Sequence, residues 1–282
     1  MVELEKSEIA MICLLAFSAV FFVISRIFTE ISSLATIVQV MTFFCFTLIH
    51  GTKTLGAKNL VVFIIIAYLF SMLMETLGAF GLFYPFCYWI YANKLGPMFL
   101  GKVPYLIPLT WLTFLYCALS MSNIICNRIK TNPDDLGKLD KQQTPILLIS
   151  SFIGSLIMTA WDLINDPTMV ARGYWTWPLG GEFYGIPIGN YVFWIITSFG
   201  VFVLFNLYLG LVGKNQVFYK KQDNERSLTT LWMAAPYLML FIIQSVTALQ
   251  IGVVYAISWA AIGMGASVVV TIIRFFQLKK SN

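Results

Sequence analysis

A helix needs about 20 consecutive apolar residues to cross the hydrocarbon core of a bilayer. That ruler finds candidate spans at roughly 9–28, 31–50, 60–80, 103–126, 145–164, 187–212, 229–247 and 250–273. With so much of the chain committed to lipid-length runs, the expected fold class is all-α: a polytopic transmembrane helix bundle of about eight spans. The chain is 59% hydrophobic and 11% charged, which excludes an ordinary soluble domain. No segment is polar enough to fold apart, so residues 1–282 are expected to form a single integral membrane domain. Only Thr29 and Glu30 separate the first two spans, and Ala248 and Leu249 the last two, so both pairs are expected as tight antiparallel hairpins.

Charge gives these spans an orientation. With a cytoplasmic amino terminus, the inside segments hold 14 of the 18 Lys and Arg residues. The outside segments hold only Arg26, Lys94, Lys102 and Arg172. The positive-inside rule therefore predicts both termini in the cytoplasm and a multi-pass protein of the cell membrane. The first apolar run follows Glu3, Glu5, Lys6 and Glu8 and lacks a basic leader, so it reads as a retained span rather than a signal peptide.

Against this background three carboxylates stand out. Asp162 and Asp166 lie one helical turn apart and share a face of the fifth span. Glu75 lies 15 residues into the third span and Asp162 lies 17 into the fifth, depths of about 22 and 26 Å from the inner side. They are expected to meet in one layer near the outer face. Ionisable groups at such depth are costly and suggest function by default. The two long outer connections, Gly81 to Lys102 and Asn165 to Ile186, leave the helices that carry these acids. Both place Pro and Gly at bends with Tyr88, Trp89, Trp175, Trp177 and Tyr184 between them. An interfacial belt would spread such rings around the protein, whereas here they crowd beside the acids. A polar, aromatic-lined cavity in the outer half of the bilayer is the expected construction.

The segment ETLGAFGLFYPFCYWIYANKLGPMFLGKVPYLIPLTW and the later AWDLINDPTMVARGYWTWPLGGEFYGIPIGNYVFW carry a resemblance. Their punctuation, E-x-L-G, L-G-P, P-L-x-W, W-D-L-x-x-D-P and Y-G-x-P-x-x-N, resembles the membrane carotenoid hydratases of the CruF type, which include the archaeal bisanhydrobacterioruberin hydratases. The match covers about half of the chain, from Gly51 to Trp194. Where those proteins carry a Pro-Phe-Gly-x-Tyr-His-Tyr type of run, this chain reads Pro85, Phe86, Cys87, Tyr88, Trp89, Ile90 and Tyr91 and has no His.

The resemblance implies addition of water across the terminal carbon–carbon double bond of a long acyclic carotenoid, leaving a tertiary alcohol. Such a reaction needs an acid to protonate the alkene, surroundings that tolerate a tertiary cation, and a held water with a base beside it. An apolar setting favours the neutral form of a carboxyl group, which is the form this step consumes. Asp162 is the expected proton donor, with Glu75 as partner or alternative acid. Asp166 and Asn190 are expected to orient the water. Aromatic faces attract cations, and Trp111, Trp161, Trp175 and Tyr184 are the candidates, with Tyr88, Trp89 and Trp177 as further substrate-binding positions. The expected partners are the carotenoid, water and membrane lipid, with no nucleic acid, and no metal or other cofactor is expected.

Other readings fit parts of the same pattern. Asp162 and Asp166 have the D-x-x-x-D spacing with which a UbiA-type prenyltransferase would hold Mg²⁺ against a diphosphate. Asp134, Asp135 and Asp140, however, fall on the opposite side of the membrane. A non-catalytic carotenoid or lipid binder would need the apolar cavity without the acids. The Asp166–Pro167 pair also reads as a simple helix-ending turn. His50, the only histidine, falls at the predicted cytoplasmic end of the second span and reads as an interfacial or capping residue. One His and scattered Cys13, Cys45, Cys87, Cys117 and Cys126 exclude a His-rich di-iron site or a zinc hydrolase site. The segments Arg128 to Gln143 and Lys214 to Ser227 read as solvated loops, and Gln244, Thr247, Gly263 and Gly265 as helix-packing residues.

Overall fold

The computed structural model describes residues 5–128, 141, 143–212 and 231–280. Asp134, Asp135 and Asp140 and the basic segment from Lys214 to Ser227 lie outside the described residues.

The expected all-helical architecture is present. The helices are α1 (Lys6–Ile27), α2 (Ser32–Thr54), α3 (Ala57–Ala79), α4 (Leu106–Ile125), α5 (Gln143–Ala171), α6 (Ile188–Val212), α7 (Ala234–Gln250), α8 (Val254–Ala260) and α9 (Ala266–Lys280). A π-helical turn, Ala261–Gly265, joins α8 and α9 into one long apolar element. Seven elements are long and apolar enough to cross a membrane, and α7, with 17 residues, is the shorter eighth. The molecule is a multi-pass membrane protein. Phe28 to Ile31 connect α1 to α2, and Ile251 to Val253 connect α7 to α8, as the short spacers require.

Burial runs in the sense that lipid demands. Helix α4 is the centre: every residue from Trp111 to Ile124 is buried, and α2, α3, α5, α7 and α9 pack around it. Helix α1 is the opposite case, burying only Glu8, Met11, Ser18 and Ser25 while Phe17, Val20, Val23 and Ile27 face outward. Without water to drive apolar faces together, membrane helices associate through small residues and interhelical hydrogen bonds. Gly263 lies against Ala160 of α5, where an added Cβ would come within 2.8 Å of the alanine methyl. Gln244 of α7 donates to Asn165 Oδ1 of α5 (3.0 Å), and its carbonyl oxygen accepts from Thr168 (3.1 Å). Gln244 and Thr247 thus bond across helices and also line the central cavity, which is more than the packing role expected of them.

Two expectations are corrected. The Asp166–Pro167 pair does not end its helix, because α5 runs through Pro167 to Ala171. A membrane helix tolerates such a proline when neighbouring groups satisfy the backbone around it. Asp166 therefore stays on the same rigid helix as Asp162. His50 is neither interfacial nor a cap: it is 1% exposed, and its Nδ1 lies 2.8 Å from the Tyr116 hydroxyl, itself 2.6 Å from Thr54 Oγ1. A buried imidazole needs such a partner, and Tyr116 on the central helix supplies it.

The two long connections fold onto each other. Strand β1 (Ile90–Tyr91) pairs antiparallel with β4 (Trp175–Thr176), and the Ala92 amide donates to the Tyr174 carbonyl (2.8 Å). Between them β2 (Met98–Phe99) and β3 (Val103–Pro104) form a small hairpin that leads into α4. Side chains alternate along an extended strand. Trp89 is 1% exposed while Ile90 is 44% exposed, so the position where the resembling family carries His points away from the interior.

Candidate active site

Glu75 sits in the penultimate turn of α3, 1% exposed, and both of its oxygens accept hydrogen bonds. Trp111 Nε1 of α4 donates to Oε1 (2.8 Å), while Tyr91 Oη (2.6 Å) and Trp89 Nε1 (3.2 Å) donate to Oε2. Three aromatic donors from two segments therefore fix one carboxyl group. Tyr91 lies in the outer connection, where burial first and the Glu75 charge second hold its hydroxyl far above the usual phenol range. It remains a neutral donor. Trp89 reaches Glu75 only because Gly78, one turn after Glu75, has no side chain: an added Cβ would lie 1.9 Å from Trp89 Cη2. That is a physical account of the E-x-L-G motif.

Asp162 and Asp166 approach from α5. Asp166 Oδ2 accepts from Asn190 Nδ2 (2.7 Å), and the Cys87 thiol donates to Asn190 Oδ1 (3.6 Å). Burial pushes the Cys87 thiol up to about 12, with the Glu75 and Asp166 charges adding to the effect, so it stays a neutral donor. A thiol reagent is expected to leave Cys87 unmodified at about pH 8 while the protein is folded, read by peptide mass spectrometry. Fast modification would contradict the buried Cys87–Asn190 contact. Gly189 beside Asn190 packs on the Phe86 carbonyl, where a Cβ would lie 2.4 Å from the oxygen. The Y-G-x-P-x-x-N motif thus brings the α6 terminus close to the first outer connection.

Asp162 differs from both. It is 4% exposed, and its Oδ2 has no hydrogen-bonding partner among the described residues. The indole nitrogen of Trp161 is likewise buried without a hydrogen-bonding partner among the described residues, whereas Trp194 and Trp177 interact with Asp166 and Cys87. An unmatched acceptor and an unmatched donor around one cavity call for a polar ligand, since buried polar groups are normally paired. The three carboxyl groups lie within electrostatic reach of one another. Among the described residues they are not gathered into a set of ligands for one metal ion.

All three line one cavity. Its empty space, counted out to its open mouth, is about 1190 Å³. Trp111, Trp161, Trp175, Trp177 and Trp194 stand around the acids, and Phe114 stacks on Trp161 with ring centres 3.9 Å apart. From there the cavity extends past Phe43 of α2 to Phe21 and Phe22 of α1 and Leu240 and Ile243 of α7. Its walls are largely apolar and aromatic, and besides the acids they include Arg26, Gln39, Arg172, Gln244 and Thr247.

Seven of the expected site residues line this cavity; Trp89 and Asn190 do not line it but hold Glu75 and Asp166, and Tyr88 and Tyr184 lie apart from the acids. Tyr88 lies beside a shallow outer hollow with Tyr84, Lys102 and Leu179, outside the cavity. Tyr184 is turned away and accepts a hydrogen bond from the Tyr255 amide (3.1 Å). Sequence reasoning gave no role to Tyr91 or Trp194. Tyr91 was readable from the two-residue alternation with Trp89, and Trp194 from its place one helical turn after Asn190.

Fold and site define a class: a polytopic helical membrane protein with buried carboxyl groups lining a long aromatic-walled cavity. The chain belongs to the family of carotenoid biosynthesis proteins, whose model matches residues 13–272. A bisanhydrobacterioruberin hydratase of Haloarcula japonica is 28% identical over 124 residues. The aligned part is 44% of this chain and spans only 37% of that protein's length. No solved structure gives a significant match. The family assigns this protein a carotenoid-related biosynthetic role.

Proposed function

We propose that the protein is a carotenoid hydratase, adding water to the terminal double bond of an acyclic carotenoid end group to give a tertiary alcohol. The observation that carries the reading is the make-up of the cavity: Glu75, Asp162 and Asp166 line it together with Trp111, Trp161, Trp175, Trp177 and Trp194. The aromatic walls suit a polyene, and the acids beside them suit chemistry at its end group. The hydratase name of the distant relative agrees with this.

In the proposed reaction the Asp162 carboxyl group gives its proton to the less substituted carbon of the terminal double bond. The π pair forms the new C–H bond, and a tertiary cation remains on the neighbouring carbon. The indole faces of Trp111, Trp161, Trp175 and Trp194 lie close enough to the acids to stabilise that charge without bonding to it. A water held by Asp166, itself oriented by Asn190, attacks the cation; its proton passes to the Asp166 carboxylate and from there back to Asp162, one turn away on α5, which restores both groups. One water is consumed, and no oxidant is needed. Glu75, with both oxygens occupied by aromatic donors, is held in one orientation and serves as the positioned partner rather than the acid. The Lys and Arg distribution supports both termini in the cytoplasm and the acids in the outer half of the bilayer.

Expression in cells that accumulate an acyclic carotenoid tests the proposal. The expected product is heavier by one water, carries label from isotopically labelled water, and forms equally well without oxygen. A requirement for oxygen would replace hydration with hydroxylation. No conversion of several acyclic carotenoids, with binding retained, would make the protein a binder.

A further inference from the structure

The outer basic residues, scattered in sequence, are gathered by the fold. Arg26 at the end of α1 and Arg172 just after α5 both line the cavity and lie within electrostatic reach of each other. Arg172 donates to the Tyr174 hydroxyl (3.3 Å), and its guanidinium lies 4.8 Å from the centre of that ring. Lys94, from the other outer connection, donates to the Arg172 carbonyl (2.9 Å) and sits 5.5 Å from the same ring centre. None of the three has a carboxylate within ion-pair distance; Lys53–Glu5 is the ion pair found among the described residues. Instead Arg26 spends its two terminal nitrogens on neutral acceptors of α7, Gln250 Oε1 and Thr247 Oγ1, each at 3.0 Å. Its Nε is buried with no hydrogen-bond partner among the described residues, while the guanidinium lies 4.5 Å from the centre of the Phe22 ring.

Three cations without a carboxylate partner among the described residues, Arg172 and Lys94 over Tyr174 and Arg26 over Phe22 (4.5 Å), are expensive unless an anion joins them, because like charges repel and a desolvated guanidinium needs acceptors. A guanidinium presents a donor fork that matches phosphate oxygens, and two of them with a lysine suit a phosphodiester. Arg26 and Arg172 line the cavity where α1 meets α7, and Lys94 adjoins them over the Tyr174 ring. A lipid can place a phosphate there and still leave its acyl chains against the exposed Val23, Ile24 and Ile27 of α1. A carotenoid has no anionic group, so this site is separate from the chemistry at Asp162.

We infer that Arg26, Arg172 and Lys94 form a binding site for the phosphate of an anionic lipid headgroup at the mouth of the cavity. An anion here draws on the Arg26 nitrogens that otherwise tie α1 to α7, so occupancy and the α1–α7 tie compete for one side chain.

Native mass spectrometry of the purified full chain in a neutral detergent tests this with phosphatidylglycerol and, as control, phosphatidylcholine. Phosphatidylglycerol is expected to bind preferentially, and R26Q and R172Q to weaken it about fivefold each, about 25-fold together. K94Q, at an exposed position, covers the case in which the arginine variants do not fold, and its expected loss is about fivefold as well. Added salt should weaken the wild-type binding in parallel. Equal binding of both lipids, or a phosphatidylglycerol affinity unchanged in K94Q and in the folded arginine variants, overturns the site. Melting temperature measured with inorganic phosphate or pyrophosphate separates the sources. A rise that the variants abolish keeps the anion site but overturns the lipid as its occupant, whereas no response supports the lipid. These readouts do not depend on turnover, so they stand apart from the test of hydration.

Discussion

Replacing Asp162 by Asn is expected to stop product formation while leaving a folded protein that still binds the polyene. The substitution keeps the shape of the side chain and removes only the proton source. A positioned general acid contributes about 10²–10⁴-fold, and an unactivated alkene has no other route to its cation, so the loss should reach at least that range. Folding should survive, because Asp162 Oδ2 has no partner whose bond would be lost. Carotenoid analysis of producing cells measures the first effect, and the absorbance of polyene bound to the purified variant measures the second. Parental turnover in D162N would remove Asp162 as the acid and with it the proposed order of steps.

The same reasoning separates the three acids. Glu75→Gln leaves Trp89, Tyr91 and Trp111 pointing three donors at an amide that accepts through one oxygen only. That change should damage folding together with turnover, so it is a poor test of chemistry. Asp166 lies between these cases, since Asn190 holds one of its oxygens. The contrast between Glu75, both of whose oxygens accept aromatic donors, and Asp162, whose Oδ2 accepts none among the described residues, is what assigns the proton to Asp162.

Lipid-length runs made the helices readable, and the single-turn spacing of Asp162 and Asp166 made their shared face readable. The depth argument also placed Glu75 and Asp162 at one cavity, because a rise of 1.5 Å per residue hardly varies in a helix. Pro167 misled, since the local rule that proline ends helices is overridden when α5 is held on several sides. His50 misled in a similar way: its partner Tyr116 lies 66 positions away, and no local pattern reports such a contact. Tyr88 and Tyr184 neighbour the acids in sequence but not in the fold. In irregular connections the backbone decides which of several rings turns inward, and Tyr184 sits at a positive φ of 55° that swings it out. Tyr91 and Trp175 reach the cavity because β1 and β4 pair, a long-range contact between loops that reads only as aromatic crowding in the sequence.

Gly78→Ala is expected to disable the site through packing alone. On helix propensity the change should stabilise α3 by about 1 kcal/mol, since Ala is the better helix former. The structure reverses that sign: the new methyl would lie 1.9 Å from Trp89 Cη2 and 2.4 Å from Cζ2 and Cζ3, so the indole must move. Overpacking of this kind costs about 1–3 kcal/mol, and the displaced Trp89 also withdraws its donor from Glu75. A lower melting temperature and a loss of turnover should appear together. Adding Trp89→Phe to Gly78→Ala should restore part of the stability, because the smaller ring clears the methyl, but not the turnover, because Phe donates no hydrogen bond. That non-additive pattern is the signature of two residues in direct contact. A Gly78→Ala variant as stable and active as the parent would mean that Trp89 does not depend on the space at Gly78, and the link from the E-x-L-G motif to the carboxyl cage would be lost.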